Sequence, residues 1–231
     1  MTEKTAFLEM LTLNQVEFVD FRFSDMIGQW HHMTFAANAL TEDILEEGIY
    51  FDGSSIAGWR AIHESDMVMK PDMAASPHAL ILDPFSAQKT AIVHCDIYDP
   101  KSQAPYERDP RGIARRAENY ILKSGLGTTA YFGPEPEFFI FDSVQFGIKK
   151  SHSFYEIEAD EFSQTKKATN EALKHGHYPP PKGGYMPVSP VDALHDLRAE
   201  MMTAMADMGM KMEKHHHEVA PAQHEIGFKF S

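Results

Sequence analysis

The segment from Phe132 to Phe141 places two acidic side chains inside an otherwise apolar run. Because alternate side chains of a strand share a face, Glu135 and Glu137 should point one way, and Phe138 and Ile140 the other. Two carboxylates on one face repel each other and resist desolvation unless a cation lies near them. Magnesium or manganese, which take oxygen ligands, is the natural cation. The segment therefore predicts a strand with a metal-binding face. The alternative, which the pattern leaves open, is that the two glutamates lie on a face exposed to solvent.

A second acidic cluster extends from Glu213 to Glu225 and encloses three consecutive histidines at positions 215–217. Neighbouring residues of a strand point to opposite faces, so a single ion cannot easily use all three imidazoles. We therefore interpret the histidines as structural groups or as supports of the ligands, with Glu218 and Glu225 as the oxygen ligands. Simple surface charge is the alternative for the glutamates.

Two loops are rich in small residues, which would allow a ligand to approach the backbone closely. The first extends from Tyr50 to Trp59 and contains Asp52 and Ser55, and the second is Lys182 to Tyr185, with its pair of glycines. On pattern alone, each loop is more simply a turn.

The order of elements predicts an α+β fold with a boundary between domains of residues 1–104 and 105–231. In the first domain we expect a hairpin over 16–35, a helix over 41–47, strands over 79–82 and 90–97, and a polar linker over 98–105. In the second we expect a helix from Asp109-Pro110 to about 124, strands over 128–132, 135–141 and 211–218, and a helix over 192–208. A polar insertion over 147–181 should lie on the surface.

Charge and composition exclude several classes of function. Acidic residues outnumber basic ones by 34 to 21, and no run of Lys and Arg forms the basic face that a nucleic-acid backbone requires. No apolar stretch has membrane-spanning length, and the first residues do not form a secretory signal. The single cysteine, Cys95, cannot form an internal disulfide. We expect a cytoplasmic protein that binds neither nucleic acid nor membranes.

Taken together, several segments resemble the type I, or bacterial-type, glutamine synthetases, in the order of that family and over nearly the whole chain. The matching segments are 18–23, 51–59, 64–67, 108–111, 132–141, 182–185 and 215–225. The resemblance implies a small amino-terminal β-grasp domain followed by the first part of the catalytic domain, an antiparallel sheet with flanking helices.

The resemblance also implies roles for the acidic residues. Glu137, Glu218 and Glu225 match the ligands of the metal site nearest glutamate. Glu135 matches a ligand of the second metal site, which holds the ATP phosphates, and Glu213 matches a residue that contacts the nucleotide.

Further roles fall on the two loops. Asp52, Ser55, Tyr185 and Glu218 match the ammonium pocket, and Trp59 matches an aromatic residue near the nucleotide. In the family, Asp52 and Trp59 would come from the neighbouring subunit of a ring-shaped homo-oligomer.

The implied reaction is the ATP-dependent joining of ammonia to glutamate with Mg²⁺ or Mn²⁺, through a γ-glutamyl phosphate. Because the family continues for about as long again, we expect this chain to be a fragment that is inactive alone. Two alternatives remain open: a non-catalytic truncated subunit, and a related ligase that joins glutamate to another amine.

Overall fold

The computed structural model describes residues 2–73, 80–162 and 178–231. By contacts between Cα atoms the chain divides into a first unit, Met1–Ala130, and a second unit, Tyr131–Ser231. None of the described helices is both long and apolar enough to cross a membrane.

The first unit contains one six-stranded sheet. Its strands are β1 (Phe18–Ser24), β2 (Trp30–Ala36), β3 (Ile49–Asp52), β4 (Asp66–Pro71), β5 (Ile81–Leu82) and β6 (Thr90–Tyr98). They lie in the order β2-β1-β6-β4-β3, and β5 pairs with β6. Strands β1 and β6 are parallel, whereas the other pairs are antiparallel. The predicted hairpin and the strand over 90–97 are confirmed. Of the strand predicted over 79–82, only 81–82 is strand, and residue 79 lies outside the described residues.

Three helices in this unit begin at side-chain caps, as helix termini require. They are α1 (Glu3–Leu13), α2 (Glu42–Glu47) and α3 (Pro110–Ser124). Thr2, Thr41 and Asp109 accept hydrogen bonds from backbone N–H groups of the first turns, and Pro110 is the first residue of α3. The predicted helices over 41–47 and 110–124 are confirmed.

The end of β6 differs from the expected linker. Tyr98 belongs to the strand, and the Asp99 carboxylate accepts hydrogen bonds from the N–H groups of Lys101 and Ser102, so a closed turn follows. Arg111 of α3 forms ion pairs back to the sheet, at 2.9 Å to Asp96. Helix α3 therefore packs within the first unit, and the boundary between residues 104 and 105 stays a prediction.

The core of the first unit lies on one face of the sheet, because β1 and β6 carry apolar residues at alternate positions. Phe21 and Ile97 are both completely buried there. Further members are Phe7, Leu11, Val19, Phe23, Leu45, Trp59, Met67, Met69, Ala91, Val93, Cys95 and Tyr106.

The opposite face of β1 carries a buried carboxylate, Asp20, which is 3% exposed. Thr34 Oγ1 donates to it at 2.6 Å, Arg22 Nε donates at 2.5 Å, and His32 Nδ1 lies 2.6 Å away. Burial acts to raise the pKa of Asp20, but the hydrogen bonds from Thr34, His32 and Arg22, with the Arg22 charge, outweigh it and lower the pKa.

This lowered pKa predicts how stability depends on pH. The folded protein holds the ionised form of Asp20 more strongly than the unfolded chain does. The stabilisation is therefore complete above the unfolded pKa of about 3.9 and is lost as the pH falls through the lower folded pKa. We expect Asp20→Asn to flatten the loss of stability below about pH 4 and to lower stability at pH 7. Urea unfolding at several pH values measures this, with exposed Asp43→Asn as the control. If the stabilities of Asp20→Asn and of the unsubstituted chain changed with pH in parallel, the lowered pKa of Asp20 would be contradicted.

The second unit has an antiparallel sheet of three strands in the order β10-β11-β7. Its elements are β7 (Glu137–Phe139), β8 (Ser143–Lys149), β9 (His152–Glu158), α4 (His195–Asp207), β10 (Met212–His217) and β11 (Gln223–Phe228). Strands β8 and β9 form a separate hairpin, and α4 packs on β10. The α+β class, the antiparallel sheet, the helix over 192–208 and the strand over 211–218 are confirmed. The insertion predicted over 147–181 begins inside this hairpin, and its residues 163–177 lie outside the described residues.

Two predicted strands need correction. Residues 128–132 are not a strand, and of 135–141 only 137–139 is one. Pro134 and Pro136 have no N–H to donate, although their carbonyls accept hydrogen bonds from Phe228 N and Ile226 N, each at 3.2 Å. The chain therefore runs beside β11 before it becomes a complete strand. The prediction that Glu135 and Glu137 lie in one strand is wrong, because β7 begins at Glu137.

Candidate metal centre

A row of polar side chains crosses the three-stranded sheet of the second unit. The register pairs His216 of β10 with Glu225 of β11, and Glu225 with Glu137 of β7. Directly opposed residues of antiparallel strands share a face, so the three side chains lie on one face of the sheet. The backbone N–H of Glu218, just beyond β10, donates to Gln223 at 2.8 Å.

Three members of this region form a close group. His216, Glu218 and Glu225 each offer one ligand atom, and these atoms lie within 4.8 Å of one another. His216 Nδ1 is 3.5 Å from Glu218 Oε1, and its Nε2 is 3.4 Å from Glu225 Oε2. The side chains of Glu218 and Glu225 are only 12% and 10% exposed. The sequence-based expectation that Glu218 and Glu225 lie close together is thus met by the geometry, with His216 between them.

Burial raises the pKa of Glu225, against the attraction of His216, and the nearby carboxylates of Glu135 and Glu218 raise it further. Two largely buried carboxylates beside an imidazole form a donor set that fits a divalent cation, since the cation would relieve their mutual repulsion. Among the described residues, this is the only group of three or more acidic, histidine or cysteine side chains with that spacing.

Glu135 and Glu137 have other partners. Lys214 Nζ forms an ion pair with Glu135 Oε1 at 2.8 Å, and Gln223 Nε2 donates to Glu137 Oε2 at 2.7 Å. Neither carboxylate belongs to the close group, so their roles as metal ligands stay predictions.

The histidines divide between the two faces of β10, as the alternation predicted. His217 is completely buried and lies 2.8 Å from Glu161, which agrees with a structural role. His215 faces Arg198, and of the three histidines only His216 reaches the Glu218 and Glu225 carboxylates. A signal for His216 was available in the sequence, because its spacing of two from Glu218 repeats that of Glu135 and Glu137.

Sequence reasoning missed a buried polar network beneath the sheet. Arg198 of α4 is 0% exposed and donates to Asp192 Oδ2 at 2.5 Å and to His215 Nδ1 at 3.2 Å, while its Nη1 lies 2.9 Å from His224 Nδ1. Burial and the Arg198 charge lower the pKa of His224 to about 4, which leaves its imidazole neutral and able to accept from the guanidinium. The network fixes α4 against β10 and β11, the strands that carry the close group.

The predicted loop Lys182 to Tyr185 lies against the close group. The Tyr185 ring packs edge-on to His216 with centroids 5.6 Å apart, and Gly184 N donates to Val219 O at 3.0 Å. A Cβ at Gly184 would lie 2.7 Å from the Glu218 carbonyl oxygen, so only glycine allows this approach. The structure thus brings Tyr185 and Glu218 into one neighbourhood.

The remaining candidates are spread over both units. Asp52 ends β3, and its carboxylate accepts hydrogen bonds from Ser54 and, at 3.3 Å, from Ser55 Oγ. These bonds from Ser54 hold the pKa of Asp52 below its usual value. Trp59 is 6% exposed and packs in the core against Tyr106, so its place near a nucleotide stays a prediction. Glu213 is exposed at an irregularity of β10.

Two family models match the chain. Residues 15–100 match "Glutamine synthetase, beta-Grasp domain", and residues 107–231 match "Glutamine synthetase, catalytic domain".

Similar proteins agree with these matches. The chain is 47% identical over 230 residues to a glutamine synthetase of Azospirillum brasilense, covering 100% of this chain and 48% of that protein. It is 46% identical over 230 residues to a glutamine synthetase of Rhizobium meliloti, with the same coverage. A cryo-EM structure of Plasmodium falciparum glutamine synthetase matches the fold with a TM-score of 0.83 and 24% identity, covering 100% of this chain and 45% of that one. The chain spans about half the length of the curated relatives it matches. From the two family models and these relatives together, we conclude that the chain belongs to the glutamine synthetase family.

Proposed function

We propose that this chain supplies part of the active site of a glutamate–ammonia ligase, which forms glutamine from glutamate, ammonia and ATP through a γ-glutamyl phosphate. The observation that carries the proposal is the close group of His216, Glu218 and Glu225, found in a chain of this family. The low exposure of the Glu218 and Glu225 side chains, 12% and 10%, distinguishes them from solvated surface charge.

The proposed ion is Mg²⁺ or Mn²⁺, held by Glu218, Glu225 and His216, with Glu137 in the neighbouring register position. Bound there, the ion would neutralise charge on a transferring phosphoryl group. The predicted second site at Glu135, with Glu213 towards the nucleotide, belongs to the same proposal.

Ammonium binding is assigned to Asp52, Ser55, Tyr185 and Glu218. An ionised carboxylate attracts the cation and can accept the proton that ammonium must lose before it attacks. The lowered pKa of Asp52 keeps that carboxylate ionised at neutral pH. Trp59 stays assigned to the neighbourhood of the nucleotide.

The proposal extends to assembly and location. We propose a ring-shaped homo-oligomer in which a neighbouring subunit contributes Asp52 and Trp59, and a cytoplasmic location, which the single unpaired Cys95 supports.

Metal binding tests the proposal directly. We expect the 231-residue chain to bind Mn²⁺, and we expect Glu218→Gln combined with Glu225→Gln to abolish measurable binding, because both anionic ligands are lost while side-chain size is kept. Titration followed by the Mn²⁺ electron paramagnetic resonance signal measures this. Glu200→Gln, an exposed change on α4, is the matched control and should bind as the unsubstituted chain does. Equal affinity in the double variant and the control would reject the site.

A further inference from the structure

The turn between β10 and β11 carries Glu218 and leads directly to the strand that carries Glu225. A buried carboxylate from outside the sheet, Glu161, contacts both ends of this turn through one oxygen. Its Oε2 lies 2.8 Å from His217 Nε2 and accepts a hydrogen bond from Ala222 N at 2.6 Å. The two ends of the turn are therefore held at a fixed separation by a single atom.

His217 extends this contact to the neighbouring segments. Its Nδ1 lies 2.6 Å from the Glu218 carbonyl oxygen and 2.7 Å from the Gly184 carbonyl oxygen. Because a carbonyl oxygen can only accept, Nδ1 carries a proton and donates, and a second proton lies between Nε2 and the Glu161 carboxylate, since an ionised carboxylate also only accepts. The imidazole thus connects Glu161 to the backbone of Glu218 and to the loop that brings Tyr185 against His216.

Burial makes the loss of these hydrogen bonds costly in free energy. Glu161 is 5% exposed and His217 is 0% exposed, so lost hydrogen bonds would not be replaced freely by water. Ala222 adopts a left-handed backbone conformation with φ of 63°, which is unfavourable for a residue other than glycine. The bond from its N–H to Glu161 holds the turn in this conformation.

We propose that Glu161 is a positioning residue of the candidate metal centre, which fixes the turn that sets the separation of the Glu218 and Glu225 carboxylates. Glu161 does not belong to the close group and acts through His217 and Ala222. The inference rests on the proposed function, because that proposal supplies the ion.

Three substitutions separate hydrogen bonding from charge. Glu161→Gln keeps the length of the side chain and an oxygen that can accept from Ala222 N, but it removes the charge and weakens the contact with His217 Nε2. Glu161→Asp keeps the charge but is one methylene too short to reach both partners. Glu161→Leu removes both the acceptor and the charge. Asp160→Asn, at the exposed neighbouring position, is the control for net charge.

The experiment is Mn²⁺ titration of the full 231-residue chain and its variants, followed by electron paramagnetic resonance. We expect Glu161→Asp and Glu161→Leu to weaken Mn²⁺ binding about 10–100-fold, and Glu161→Gln, which keeps the Ala222 bond, to weaken it only about 3–10-fold. Asp160→Asn should bind as the unsubstituted chain does. A smaller loss of Mn²⁺ affinity for glutamine, which lacks the charge, than for aspartate, which keeps it, is a pattern that loss of a charge alone would not give. If Glu161→Leu does not fold, the comparison of Gln with Asp still decides.

Amide hydrogen exchange without metal gives a second readout. We expect the Ala222 amide to be protected in the unsubstituted chain and in Glu161→Gln, and to lose protection in Glu161→Asp.

The possible failures are distinct. Unchanged Mn²⁺ affinity in Glu161→Asp, or a weakened Glu161→Gln beside a normal Glu161→Asp, would overturn the positioning role and leave the proposed function standing. Absence of Mn²⁺ binding by the unsubstituted chain would overturn the proposed function itself, and this inference with it.

Discussion

Replacing Arg198 with methionine is expected to destabilise the second unit by about 3–5 kcal/mol, because the change leaves the buried Asp192 carboxylate without its positive partner. Methionine fills a similar volume, so most of the loss comes from the interrupted ion pair and not from a cavity. The Arg198 side chain is 0% exposed and that of Asp192 is 7% exposed, so water cannot solvate the remaining charge freely.

Two measurements test this loss of stability: hydrogen exchange of the β11 amides, which reports on the second unit, and urea unfolding followed by circular dichroism. Arg116→Met makes the same chemical change at an exposed position of α3 and should alter stability by less than about 0.5 kcal/mol. Combining Arg198→Met with Asp192→Leu should recover part of the loss, since removing both charges of a buried pair costs less than removing one. A loss below about 1 kcal/mol for Arg198→Met would show that the network does not support the sheet.

Asp52→Ala is expected to reduce ammonia-dependent glutamine synthesis about 100–1,000-fold, the usual cost of removing one preorganised charge from an active site. Glutamate-dependent phosphate release from ATP should fall less, because Asp52 is assigned to ammonium and not to phosphoryl transfer. Asp52→Asn, which keeps the shape of the side chain, separates the charge from the contacts with Ser54 and Ser55.

The assay uses residues 1–231 joined to the part of the Azospirillum brasilense glutamine synthetase that this chain does not cover, with that intact enzyme as the reference. Asp43→Ala, an exposed acidic change on α2, is the control and should leave both reactions unaltered. If ammonia and hydroxylamine both reacted at unchanged rates in Asp52→Ala, the ammonium role would be wrong. A fused enzyme without any ATP-dependent synthesis would count against the proposed function.

Much of the architecture was predictable from local patterns. The hairpin of β1 and β2 follows from alternating β-forming residues around a turn, and α3 from Asp109-Pro110 as cap and first residue. The strand predicted over 135–141 was too long. Alternation of side chains says nothing about the backbone N–H groups that Pro134 and Pro136 lack.

The candidate site was predictable only in part. Glu218 and Glu225 could be named from the sequence, whereas the place of His216 depends on the register of β10 with β11. Glu161 and Arg198 carry no motif. They contact neighbours of the close group, not the group itself, through tertiary packing that joins residues far apart in the chain, and no local pattern encodes such contacts.

The hairpin of β10 and β11 also bears on the order in which the site assembles during folding. His216, Glu218 and Glu225 lie within ten consecutive residues of one hairpin, and isolated hairpins of this kind close in about 1–10 μs. Glu137 instead lies in β7, 88 positions before Glu225 (225 − 137). Its pairing with Glu225 therefore requires closure of a long loop. Most of the close group can therefore form by a local event, before the long-range pairing of β7 with β11 completes the row.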